Sequence, residues 1–151
     1  MNLTLEPEIV TRPETYYVFL ERIGPFQNTA SRAWQDLHQL EPAVSKHNQI
    51  TGAFSQYKMG PKIYRAGFSL ASPPTELPKS LEYEKIAGGK FSRFVLTGPY
   101  SNLPEASGRV WTTVADKKIQ LRDDFTIENY VNDPKTTPEE RLVTEILVPT
   151  V

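Results

Sequence analysis

Glu145 interrupts the apolar run LVTEILV, residues 142–148. Alternation along a strand sets Val143, Glu145 and Leu147 on one face and Thr144, Ile146 and Val148 on the other. If helices cover the second face, the carboxylate looks the opposite way, onto solvent or into a cleft. An unpaired carboxylate in an apolar cleft is costly to ionise, so its pKa rises or a cation is drawn to it. The same group could serve as a general acid or base. Two aromatics in comparable strands, Phe54 in GAFSQ and Tyr130 in ENYVN, offer flat apolar surface, although ordinary packing also accounts for a lone aromatic. Matching YRAGFSL with LVTEILV sets Gly67 opposite Glu145. One acid among flat rings makes a receptacle for an aromatic or lipophilic cation.

Other chemistries find little support. His38 and His47 have no carboxylate at a ligand spacing, so neither a metal nor another cofactor is expected. The stretch AGGK lacks the length and the Ser or Thr of a phosphate loop, and no serine stands in a nucleophile elbow. With no cysteine, thiolate chemistry and disulfides are excluded. Seventeen Lys and Arg are scattered among 18 acids for a net charge of −1, which leaves no basic footprint for nucleic acid. The start, MNLTLEPEIV, has neither the basic residues nor the apolar run of a signal peptide. Nothing approaches the roughly 20 apolar residues of a membrane span, and a cytoplasmic protein is the expectation.

The elements that must position these residues show an internal repeat. Gly24-Pro25-Phe26 and Gly98-Pro99-Tyr100 each follow an aromatic-rich run and precede a segment with one of the two tryptophans. After the first, Ala30, Ala33, Trp34, Leu37 and Leu40 form one helical face, and Pro42 is expected to stop or break that helix. After the second, Ser101 or Asn102 caps a helix with Pro104 in its first turn and Leu103, Val110, Trp111 and Val114 on its apolar face. Each helix leads into two strands, 50–58 with 63–70 and 125–132 with 141–149, joined by loops rich in Pro and turn formers. Hairpins are also expected before each Gly-Pro, turning at Arg12-Pro13-Glu14 and at Gly88-Gly89. The unit is thus hairpin, helix, hairpin, used twice, with ASPPTELPKS as the link. The predicted fold is a single α+β domain over 1–151, a tandem pseudo-twofold duplication with antiparallel sheets and two main helices around a central cleft. The first repeat covers about 1–72 and the second about 79–151.

GGKFSRFVLTGPYSNLPEA, YVNDPKTTPEERLVTEILVP and RIGPF together resemble the GyrI-like small-molecule-binding domain, which also serves as the effector-binding domain of AraC-type and MerR-type multidrug regulators. The resemblance implies that Glu145 lies in a ligand cleft and that Tyr130 is the tyrosine preceding Asn-Asp-Pro in that family. Many relatives carry a histidine where this chain has Leu96. The implied function is stand-alone capture of amphipathic, cationic aromatic compounds, with Glu145, Tyr130, Phe54, Trp111 and Gly67 at the ligand. An alternative is hydrolysis of cyclopropane-bearing genotoxic compounds, with Glu145 activating water or protonating the substrate beside Tyr130 and Trp111. A third is interaction with gyrase. The implied partner is a small lipophilic molecule, with neither DNA nor membrane contacted directly.

Overall fold

The computed structural model describes all 151 residues. Nine strands and two helices follow one another as β1 (Asn2–Leu3), β2 (Glu8–Arg12), β3 (Thr15–Ile23), α1 (Phe26–Ser45), β4 (Ile50–Lys58), β5 (Ile63–Leu70), β6 (Glu82–Ile86), β7 (Gly89–Thr97), α2 (Leu103–Asp116), β8 (Thr126–Tyr130) and β9 (Val143–Pro149). The chain divides into two compact units, Pro13–Gly88 and Met1–Arg12 with Gly89–Val151.

In the unit Pro13–Gly88 the strands lie in the order β4-β5-β3-β6, all antiparallel. Val18 and Leu20 of β3 and Tyr64, Ala66 and Phe68 of β5 meet Ala33, Leu37 and Val44 of α1 in one buried cluster. Trp34 packs on this cluster, partly buried, and its Nε1 donates to Tyr64 Oη at 2.8 Å. Pro42 sits inside α1 rather than ending it. It falls in the last turn, where the N–H it lacks would have bonded the His38 carbonyl, and the helix ends three residues later, with Lys46 N–H still reaching the Pro42 carbonyl at 3.1 Å.

In the other unit β7 pairs β9 and β9 pairs β8, while β1 and β2 both pair β7. Phe94 and Leu96 of β7 and Ile146 and Val148 of β9 pack against Ala106, Val110 and Val114 of α2. Neither helix is long and apolar enough to cross a membrane.

The Gly-Pro pairs do the same work in each unit. Gly24 and Gly98 take φ of +140° and +136°, a region open to glycine but strained for other residues. Their N–H groups donate to Lys62 and Leu142 carbonyls at 3.0 and 2.8 Å, so each glycine closes a strand pair while turning the chain into its helix.

Two expected hairpins do not form. Β2 pairs β7, with Val10 opposite Phe91, and β6 pairs β3, with Tyr83 opposite Val18. Arg12-Pro13 and Gly88-Gly89 are therefore crossings from one unit to the other. A two-residue hairpin turn needs positive φ at its centre, which Pro13 cannot adopt, and Pro13 also holds Arg12 extended. The loops β4–β5 and β8–β9 do close hairpins.

Candidate functional site

Register on β9 settles which way its side chains face. Ile146 and Val148 are buried against α2, so Thr144 shares the helix-covered face and Glu145 the opposite one. Glu145 stands between Val95 of β7 and Asn129 of β8. Both its oxygens are engaged: Oε1 accepts from Asn129 Nδ2 at 2.8 Å and Oε2 from Arg93 Nη1 at 2.9 Å. Arg93 extends the network to Glu8 at 3.1 Å. The Glu145 side chain is 18% exposed, so its charge is met by Arg93 with little water around it.

The other unit carries a network of opposite sign. Arg65 on β5 donates to Glu21 of β3 at 2.8 Å, to Gln56 of β4 at 3.2 Å and to Glu84 of β6 at 3.1 Å. Counted from Lys62 and Leu142, the carbonyls bonded by the two turn glycines, Arg65 and Glu145 hold the same place on their strands. The register thus sets Arg65, not Gly67, against Glu145, with Gln56 in the place of Asn129.

Gly67 and Phe54 belong with Tyr17. The Tyr17 ring stacks on Phe54 at 4.3 Å and on Phe19 at 5.3 Å, and its Oη donates to the Phe54 carbonyl at 2.8 Å. A Cβ at position 67 would come within 2.4 Å of that ring. Gly67 is the space Tyr17 occupies, and Phe54, 1% exposed, is one wall of the stack.

Tyr130 leads to a residue the sequence reading passed over. Glu128, Tyr130 and Thr126 alternate on one face of β8, and Glu128 stands opposite Ile146, on the side covered by α2. Tyr130 Oη donates to Glu128 Oε1 at 3.1 Å. Burial pushes the Glu128 carboxyl up to about 7, and the bond from Tyr130 offsets only part of that cost. The Tyr100 ring meets Tyr130 edge-on, with centroids 5.4 Å apart. Burial first, and the nearby Asp133 charge second, raise the Tyr100 phenol above its ordinary value.

Three polar atoms on this side are buried without a hydrogen-bond partner: Tyr100 Oη, Trp111 Nε1 and Thr144 Oγ1. Thr144 lies directly across from Tyr130. Trp111 packs on the cluster of Phe94, Leu96, Ile146 and Val148. Of the residues singled out from sequence, Tyr130 and Trp111 therefore stand on the side of Glu128. Glu145 lies on the opposite face of the same strands, and Phe54 and Gly67 belong to the other unit. Glu128 could have been found from its spacing, since the second residue before Tyr130 on a strand must share its face. No three His, Asp or Glu side chains gather in a metal-holding group. What the arrangement can do is hold or give up one proton near neutrality, beside aromatic rings and free donors.

The sequence matches a family described as the GyrI-like small molecule binding domain over residues 5–151. A search of curated proteins finds none that matches. Among solved structures, SAV2435 bound to tetraphenylphosphonium shares the fold at 14% identity and a TM-score of 0.77, covering 97% of this chain and 94% of that one. The C-terminal domain of EcmrR does so at 17% identity and a TM-score of 0.73, covering 96% of each. A structure described as a hydrolase from Listeria innocua is similar at 10% identity and a TM-score of 0.62, covering 97% of this chain and 92% of that one.

Proposed function

Because the chain belongs to the GyrI-like small-molecule-binding domain family, we propose that it captures amphipathic, cationic aromatic compounds, with Glu128 as the counter-charge. The observation that carries this reading is a carboxyl at about 7, hydrogen-bonded by a tyrosine whose ring meets that of a second tyrosine. A group so poised is neutral or charged at little cost. An arriving cation favours the carboxylate, a proton leaves, and the buried charges neutralise each other. Tyr130, Tyr100 and Trp111 supply ring faces and edges for apolar burial and cation–π contact.

Glu145, the acid first singled out, is assigned a different part. Arg93 already meets its charge, so it serves here to tie β8 to β9 through Asn129, the residue between Glu128 and Tyr130. The two units are taken as copies of one ancestral unit, since their turn glycines bond equivalent positions. That SAV2435 was solved with a lipophilic aromatic cation supports the ligand class, and the likeness itself extends to the fold.

The test is binding of tetraphenylphosphonium and of neutral triphenylphosphine oxide by calorimetry. Glu128→Gln should weaken the cation by about tenfold or more and leave the neutral compound unchanged, as loss of a buried charge partner requires. Equal losses for both compounds would refute charge compensation, and an equal effect of Glu145→Gln would return the role to Glu145.

The Glu128–Tyr130 pair also favours a second reading. A carboxyl near neutrality bonded to a phenol suits general acid–base catalysis, so hydrolysis of a strained, cyclopropane-bearing substrate is the alternative activity. Product formed by the native protein and lost in Glu128→Gln would establish it. Stoichiometric binding with no product would exclude it.

A further inference from the structure

Counter-charge and rings explain Glu128, Tyr130 and the faces of Tyr100 and Trp111, but not the buried donors beside them. Thr144 is fully buried and its Oγ1 bonds nothing, although valine would fill the same volume without a hydroxyl. Tyr100 Oη and Trp111 Nε1 are buried and unbonded as well. A buried donor without an acceptor costs stability, so three on one side of one sheet call for a reason.

Their placement supplies one. Thr144 lies in a cross-strand row between Leu96 of β7 and Tyr130 of β8. Tyr100, in the turn that opens α2, lays its ring against Tyr130, which sets that end of the helix over β8. Lys117, at the other end of α2, reaches Glu6 in the N-terminal arm at 2.7 Å, and the strands of that arm pair with β7. Trp111 packs on the cluster that includes Leu96, the neighbour of Thr144 on β7. Thr144 and Tyr100 thus adjoin Tyr130, two residues from Glu128 on the same face of β8, and Trp111 lies on the cluster next to Thr144. The indole N–H can only donate, and Glu128 Oε1 is taken by Tyr130.

We propose that the ligands of this site carry a hydrogen-bond-accepting oxygen in addition to their cationic aromatic part, and that Thr144, Tyr100 and Trp111 donate to it. This rests on the ligand reading above and narrows it: the preferred compounds are aromatic cations bearing a carbonyl or comparable oxygen, not bare hydrocarbon cations.

The test uses two phosphonium ions that differ in one group, (para-benzoylbenzyl)triphenylphosphonium and (para-benzylbenzyl)triphenylphosphonium, a carbonyl against a methylene. The full-length protein should bind the ketone about fivefold to tenfold more tightly, the worth of one well-made hydrogen bond. Thr144→Val, Tyr100→Phe and Trp111→Phe should each reduce that ratio, which is read within each variant so that any change in ring contact, common to both ions, cancels. Three variants keep the test independent of any one failing to fold. If the methylene compound binds in a Glu128-dependent way and the ketone binds no better, the acceptor inference is overturned while the counter-charge reading stands. A ratio unchanged in all three variants overturns it equally. If neither ion binds, both readings fall.

Discussion

Replacing Glu128 with glutamine should make the protein more stable, and by an amount that depends on pH. The folded carboxyl sits at about 7 against an ordinary value of 4.5. The folded state therefore holds its proton more tightly than the unfolded state does. Below pH 4.5 both states are protonated and the group is neutral in its effect. As pH rises toward 7 the unfolded chain gives up its proton while the folded one keeps it, so stability falls. Above 7 the loss is complete, roughly 3 kcal/mol at about 1.4 kcal/mol per pKa unit. Glutamine does not titrate and can still accept the Tyr130 bond. Glu128→Gln should thus gain under about 1 kcal/mol at pH 5 and roughly 3 kcal/mol at pH 8. In a domain of this size that is a rise in Tm of roughly 6–12 °C at pH 8. Thermal and urea unfolding of both proteins at the two pH values would measure it. An equal shift at both pH values, or native stability that does not fall between them, would refute a half-buried Glu128 that holds its proton to about pH 7.

The other outcomes concern packing and charge. Thr144→Val should stabilise by about 1 kcal/mol, because it removes a buried hydroxyl that bonds nothing, and Tm should rise by about 2–4 °C. Gly67→Ala should destabilise by about 1–3 kcal/mol in urea, since the new methyl meets a Tyr17 ring held between Phe19 and Phe54. Arg93→Met should cost about 1–3 kcal/mol in urea unfolding by leaving the Glu145 carboxylate with only Asn129.

Local chemistry made much of the fold readable. Apolar spacing in Ala33, Leu37, Val110 and Val114 marked the helix faces, and those four residues are buried in the helix–sheet clusters. The repeated Gly-Pro-aromatic was legible because only glycine suits the φ at Gly24 and Gly98. Strand pairing was less so. Β2 and β6 each have an adjacent strand with which a hairpin is plausible, and the choice of β7 and β3 depends on edges that exist only once the units have formed. The same limit applied to the site. Glu145 stands out in an apolar run, but its partner Arg93 comes from a strand more than fifty residues away in sequence. Glu128 sits in the polar-looking TIENY, where nothing local tells of the burial that lifts its pKa.

The most direct test of the account is calorimetric titration of tetraphenylphosphonium into the native protein and into Glu128→Gln at pH 6 and pH 8, in buffers of different ionisation enthalpy. With Glu128 titrating at about 7, native affinity should rise about tenfold from pH 6 to pH 8, with nearly one proton released on binding at the lower pH and almost none at the higher. The variant should bind weakly at both and release none. Affinity in the native protein that is independent of pH, without proton release, would contradict Glu128 as the counter-charge.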